Sequence, residues 1–238
     1  MHKSNAMSSL PMGPVVEGAA AQRPQRVSLR GSYVIVRPLH PAEDAPTLYD
    51  GTHGPGEDDF WLYMSEGPFP TLKAFRDYLD KRSKSDDPLS FSIVDRVTGQ
   101  ALGHASYMRI TPEHRVIEVG NIFLSRSLAR TRGATEAMYL MARYVFDDLG
   151  YRRYEWKCNA LNTASRHAAL RLGFAFEGIF PQHMIQKGRS RDTAWFSMLA
   201  DEWATYQSAF TQWLSPENFS EAGTQKRSLG SYLKRLRE

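Results

Sequence analysis

The stretch LSRSLARTRGATEAMYLMARYVFDDLGYRRYEWKCNALNTASRHAALRLG, Leu124 to Gly173, decides the fold. Just before it, Ile122-Phe123-Leu124 ends an apolar strand, and Ser125 to Arg132 makes a short basic turn. That turn opens onto a long helix beginning Gly133-Ala134-Thr135-Glu136-Ala137. Ala134, Met138, Met141 and Val145 recur on one stripe with Ala137, Leu140 and Tyr144 beside it, wide enough to pack across a sheet. Gly150 closes the helix, and Tyr151 to Cys158 reads as the next strand. Asn159 to Ser165 then leads a second helix that stops at Gly173-Phe174. A helix start carries unpaired N–H groups and a partial positive charge, so this order is an anion-binding layout, to which Arg130 and Arg132 add charge.

Upstream, Tyr33 to Arg37 predicts a first strand, and Pro41-Ala42-Glu43-Asp44 a helix start. The loop from Gly51 to Pro70 is rich in Gly and Pro and holds Phe60, Trp61, Tyr63 and Phe69; these aromatics either line a pocket or pack onto the core. Thr71 caps a helix to about Ser83 with Leu72, Phe75 and Leu79 at helical spacing. Leu89 to Asp95 and Ala101 to Ile110 alternate around the turn Val97-Thr98-Gly99-Gln100, and Arg115 to Leu124 adds a third strand to this meander. Downstream come strands Phe174 to Gln186 and Arg191 to Leu199, a helix from Glu202 to Trp213, and a tail. The expected organisation is a flexible leader over 1–28, with Met7 as an alternative start after an added Met1–Ala6, a domain over 29–213, and a basic C-terminal tail over 214–238.

At 238 residues the chain suits one sizeable domain. It has no apolar run near the ~18 residues of a membrane helix and no signal-type start, which points to a cytoplasmic protein. Its single cysteine, Cys158, excludes an internal disulfide framework and reads as a buried, inert thiol. The net charge is +4, but each terminal segment carries +3, which leaves residues 31–220 at −2. The folded part therefore lacks the basic face that nucleic-acid binding needs. His104, His167 and His183 form no metal-type spacing, so no metal is expected.

The meander, the Ala134-Thr135-Glu136-Ala137 helix start, Asn162-x-x-Ser165 and Leu170-Arg171-Leu172-Gly173-Phe174 together resemble the GNAT superfamily of acyl-CoA-dependent N-acyltransferases over about residues 29–205. The likeness is nearest to the branch of ribosomal-protein N-terminal acetyltransferases, to which Leu29-Arg30-Gly31, Arg37-Pro38-Leu39 and Glu118-Val119-Gly120 also conform. One departure stands out. The family loop Gln/Arg-x-x-Gly-x-Gly/Ala falls on Ala129, Arg132 and Ala134, or, slid by one, on Arg130, Gly133 and Thr135. In the first alignment Arg132 replaces a glycine that lets the backbone approach phosphate, which puts coenzyme A affinity in question.

The resemblance implies an α/β (α+β) fold: a mixed, mostly antiparallel central sheet with helices on both faces and a V-shaped cofactor cleft. It implies an enzyme that uses acetyl-CoA, or another short acyl-CoA, as co-substrate, with direct acyl transfer to a primary amine in a ternary complex. Ile122, Phe123, Leu124, Arg130, Thr131, Arg132, Gly133, Ala134, Thr135, Asn162 and Ser165 would hold the cofactor, and a backbone N–H near Ile122 would polarise the thioester carbonyl.

Glu118 interrupts an apolar strand and is the leading base, with Glu155 in reserve. No tyrosine stands four residues before Gly173-Phe174, so the resemblance gives Ser165 the sulfur and Asn162 the pantetheine or a water; Asn162 and Thr163 read equally as helix caps. The Gly51–Pro70 loop, Tyr107, His183, Asp192 and Trp195 would form the acceptor pocket, for a small-molecule amine or a peptide or protein N-terminus. A homodimer is compatible with the sequence, and the alternative function is a catalytically weak acyl-CoA-binding regulatory module.

Overall fold

The alternating stretches pair into a single sheet in the computed structural model, which describes residues 11–54 and 59–237. Met7, the first part of the leader, Pro55 and Gly56 lie outside the described residues. In chain order the elements are β1 (Leu29–Arg30), β2 (Val34–Pro38), α1 (Pro41–Asp50), α2 (Leu72–Ser83), β3 (Leu89–Asp95), β4 (Ala101–Thr111) and β5 (Val116–Leu124). They continue as α3 (Arg132–Arg143), β6 (Arg153–Asn159), α4 (Thr163–Arg171), β7 (Ala175–Gln186), β8 (Arg189–Leu199), α5 (Trp203–Leu214) and α6 (Leu229–Arg237). The strand order is β1-β2-β3-β4-β5-β6-β8-β7, antiparallel throughout except for the parallel β5–β6 pair.

Helices cover both faces. On one side Ala137 and Met141 of α3 and Val145 of the π-helical turn Tyr144–Asp148 that continues it, with Phe210 of α5, pack over Val36, Phe91, Ile117, Val119, Tyr154 and Phe196 in the main core. Glu136 of α3 fastens the sheet to this helix: its carboxylate accepts the backbone N–H groups of Ser32 (2.7 Å), Tyr33 (2.7 Å) and Val34 (2.9 Å) at the β1–β2 turn. Gly133 lets α3 come close, since a Cβ there would lie 2.9 Å from Val34 Cγ1.

On the other side α1 and α2 bury Leu48, Phe75 and Leu79 with Trp61, Val94 and Phe123 in a second core. Thr71 caps α2 through Ala74 N–H (3.1 Å), as its sequence predicts, but Leu72 is exposed and Tyr78 takes its place on the buried stripe. The aromatic loop belongs to this core. Trp61 is 1% exposed, donates from Nε1 to Thr52 O (3.0 Å) and meets Phe69 at 5.4 Å, and Phe60 packs beside them, so apolar burial explains these three rings, whereas Tyr63 is only half-buried.

Two expectations at the chain ends are corrected. Residues 214–238 do not form a tail in their described part: α6 packs on α5 and buries Leu229 and Leu233, and Phe219 joins the main core. Within the leader, Ala21 N–H donates to Pro112 O and Gln22 N–H to Leu149 O, and Ala21 and Val27 pack on the core.

Candidate functional site

The site begins where two strands part. β5 and β6 pair from Val116 with Arg153 as far as Val119 with Trp156; beyond that point β5 continues against β4 alone and β6 against β8 alone. The divergence opens a V-shaped cleft of about 800 Å³, walled near its apex by Ile122, Leu124 and Trp156. Along one side runs the α4 stripe Ala164, His167, Ala168 and Arg171, and along the other the α3 start.

A bulge sets which β5 residues face the cleft. Ser106 pairs with Gly120 but His104 with Phe123, so β5 carries one extra residue here, and Asn121 adopts φ +50. Alternation slips by one position across the bulge. Phe123 is therefore corrected as a cofactor contact: its ring turns into the second core, 3% exposed, and stacks on His104 at 4.8 Å. His104 pins the bulge. Its Nδ1 lies 2.9 Å from Asn121 O, and because a carbonyl only accepts, Nδ1 carries the proton. Burial lowers its pKa to about 4, so the ring is neutral at physiological pH.

The turn into α3 shows where Arg132 stands. Thr131 is the N-cap: its Oγ1 accepts Ala134 N–H (3.2 Å) and donates to Leu128 O (2.7 Å). The left-handed position of the turn is Arg130, φ +63, whereas Arg132 is already the first helical residue. Arg132 therefore takes a helical backbone conformation. Its side chain leaves the turn sideways, donating from Nη1 to Tyr33 Oη (3.1 Å) and lying 4.1 Å over the Phe219 ring. Arg130, Thr131, Arg132, Ala134 and Thr135 all line the cleft, whereas Gly133 faces Val34 and serves helix packing.

Asn162 and Ser165 lie at the start of α4. Asn162 Oδ1 accepts Ser165 N–H (3.0 Å), which makes Asn162 an N-cap. Ser165 Oγ accepts from Trp156 Nε1 (3.0 Å), so the serine is tied to the residue at the cleft apex. The buried Cys158 thiol lies beside the same hydroxyl, and burial pushes its pKa up.

Glu118 faces away from Ile117 and Val119, as alternation predicts, into a buried ionic cluster. Its Oε2 meets Arg109 Nη1 (2.8 Å) and Lys157 Nζ (2.9 Å), while Lys157 also meets Glu155 Oε2 (2.6 Å). Arg153 joins Glu155 to Glu177. Burial raises the Glu118 pKa, and the charges of Lys157 and Arg109 pull it back. Lys157 lies 3.9 Å over the Trp195 ring. Glu118 and Glu155 thus share one ammonium. Lys157 went unrecognised in the sequence, although its place two residues after Glu155 puts both on one strand face.

Of the expected acceptor pocket, Tyr107 is corrected. It is 0% exposed and its hydroxyl donates to Met141 O (2.8 Å) under α3, on the opposite sheet face. Trp195 stacks on Phe180 at 4.5 Å, and His183 meets Thr193 Oγ1 (3.0 Å). Asp192 accepts Gln182 N–H (2.7 Å). Tyr63 donates to Leu161 O (3.2 Å) and Lys187 to Trp61 O (2.7 Å), which ties the aromatic loop to the α4 approach and to the β7–β8 turn. Among the described residues no group of His, Cys, Asp and Glu could hold a metal ion, and no helix is long and apolar enough to cross a membrane.

Comparison with known proteins agrees with this architecture. A curated relative, an uncharacterized N-acetyltransferase of Bacillus licheniformis, is 30% identical over 145 residues, 60% of this chain and 81% of its own. The crystal structure of a GCN5-related N-acetyltransferase from Brucella melitensis superposes with a TM-score of 0.89 at 44% identity, over 91% of this chain and 98% of that one. A GNAT-family structure from Chromobacterium violaceum gives 0.76 at 36% identity, over 84% and 100% of the two chains. Structures titled as ribosomal-protein acetyltransferases match at 16% and 19% identity, a likeness of fold alone. Residues 34–175 match the family described as the acetyltransferase (GNAT) domain, and with the parted β5–β6 pair above a capped helix start, the chain belongs to the GNAT acetyltransferases.

Proposed function

We propose that the protein transfers an acetyl group from acetyl-CoA directly to a primary amine of a small molecule, a peptide or a protein N-terminus, within a ternary complex in the cytoplasm. The observation that carries this reading is the cleft opened between β5 and β6, with the α3 start on one wall and α4 on the other. The residues present fit such a co-substrate: the positive end of the α3 helix, the cations Arg130 and Arg132, and an apolar slot of Ile122, Leu124 and Trp156. Acetyl-CoA supplies an activated acyl group and a thiol leaving group.

The chain's own residues do the rest. Arg130, Thr131, Arg132, Ala134 and Thr135 bind the phosphates, and the His104-pinned bulge orients the backbone at Ile122 toward the thioester. Glu118, whose pKa burial raises, accepts the ammonium proton of the acceptor directly or through a water. Ser165, oriented by the Trp156 indole N–H, keeps its own proton to donate toward the departing sulfur, and Asn162 holds the α4 start in register. The domain includes the leader's Ala21 and Val27, which pack on the core, and the folded C-terminal segment that follows α5.

Incubation with acetyl-CoA and a panel of amines, amino acids and peptides, with thiol release as readout, tests the proposal. Turnover with at least one primary amine is expected. Binding of acetyl-CoA with no turnover across the panel would refute it.

A further inference from the structure

We propose that the segment from Trp213 to Gln225, together with Arg132 and Arg171, forms a subsite for the phosphorylated nucleotide half of the co-substrate. The inference rests on the reading of the cleft as the acyl-CoA site. The segment lies beyond residues 34–175, where the family match falls. Even so, Trp213, Phe219, Gly223 and Gln225 line the same cleft as Ile122 and Trp156.

Distance along α4 separates the two ends. Ser165, bonded to Trp156, marks the apex, and Arg171 stands six residues further along the helix. At 1.5 Å per residue that is about 9 Å toward the mouth. A ligand whose thioester sits at the apex would carry its phosphates past Arg171.

The charges at that end lack partners of opposite sign. Arg132 donates to Tyr33 Oη and lies between the Tyr33 ring (5.1 Å) and the Phe219 ring (4.1 Å). Arg171 donates from Nη1 to Thr135 Oγ1 (3.1 Å) and lies 5.0 Å over Trp213. Neither forms an ion pair among the described residues. A guanidinium has five N–H donors in a fixed fork that suits phosphate. Each of these two spends one donor on a neutral oxygen, and aromatic faces hold its plane. The pair is preorganised for an anion and not neutralised by the protein.

The rings are themselves fixed. Trp213 Nε1 donates to Gln225 Oε1 (2.8 Å), Phe219 and Gln225 form a β-bridge, and Trp213 meets Phe219 edge-on at 5.2 Å. Behind them, buried Asn218 donates to Trp213 O and Arg227 O (both 3.1 Å) and accepts Arg227 N–H (3.0 Å). This is a built wall, closed across the chain from residue 213 to 227.

The test compares acetyl-CoA with acetyl-pantetheine, which has the same thioester but no phosphate or nucleotide. In Arg171→Met and Phe219→Leu the ratio of kcat/KM for acetyl-CoA over acetyl-pantetheine should fall about tenfold, the size expected for losing one charged hydrogen bond. Arg171→Lys should recover part of it. Phe219→Leu keeps apolar bulk against Trp213, and unchanged thermal unfolding identifies a folded variant. An unchanged ratio in both folded variants overturns the inference while leaving the acyl-CoA reading intact. Wild-type protein that uses neither donor overturns both.

Discussion

Lys157→Met removes the ammonium that Glu118 and Glu155 share and keeps a side chain long enough to lie on Trp195. The three side chains are 6%, 3% and 9% exposed, and the two carboxylates stand on directly paired residues of β5 and β6. Removing one partner of a buried ion pair costs ~3–5 kcal/mol, because the charge left behind is uncompensated. Arg109 still serves Glu118 and Arg153 still serves Glu155, so the loss belongs at the lower end, ~3 kcal/mol at pH 8.

The sign of its pH dependence follows from Glu118. Burial raises its folded pKa above the usual 4.5, so the folded state binds this proton more tightly than the unfolded state. The group's contribution to stability is full below pH 4.5 and is lost as pH rises through the folded value. Loss of Lys157 pushes that value higher. The variant's deficit should therefore shrink as pH falls, because a protonated Glu118 can donate to its neighbour. Urea unfolding of both proteins from pH 5.5 to 8 measures this. A deficit that is constant across that range, or below ~1 kcal/mol throughout, would refute the shared-cation account.

Three further outcomes are expected. Glu118→Gln should lower kcat/KM for the amine by at least ~100-fold, the scale of general base catalysis, with acetyl-CoA affinity little changed; retention of half the wild-type rate would remove Glu118 as base. Ser165→Ala should lower kcat more than acetyl-CoA affinity, since Trp156 Nε1 loses its acceptor while the phosphate contacts stay, and equal loss in both would reassign Ser165 to binding. For His104 the folded pKa is lowered from 6.5 to about 4, so stability is lost as pH falls from 6.5 toward 4. That shift corresponds to ~3 kcal/mol, and His104→Phe, which keeps the stack on Phe123, should flatten this part of the stability–pH curve. A curve of unchanged slope would show that other groups control it.

Much of this protein was legible from neighbouring residues alone. Thr71 and Asn162 cap their helices, Ala137, Met138 and Met141 lie on the buried face of α3, and Glu118 faces away from Ile117 and Val119, because capping and periodicity are decided within a few residues of chain. The motif Ala134-Thr135-Glu136-Ala137 and Asn162-x-x-Ser165 pointed to the family for the same reason. What lay hidden depends on which distant faces meet. Phe123 left the cleft because a bulge slipped the alternation by one, and a bulge is a property of the β4–β5 pair. Trp61 and Phe69 were ambiguous until α1 and α2 supplied a core to bury them. Lys157 acquired its role only when parallel pairing set Glu118 opposite Glu155. The C-terminal segment read as a basic tail because its apolar residues are few. Tertiary packing gives Phe219 and Trp213 an arginine each to hold, and burial against α5 and the cleft wall compensates the entropy of ordering them.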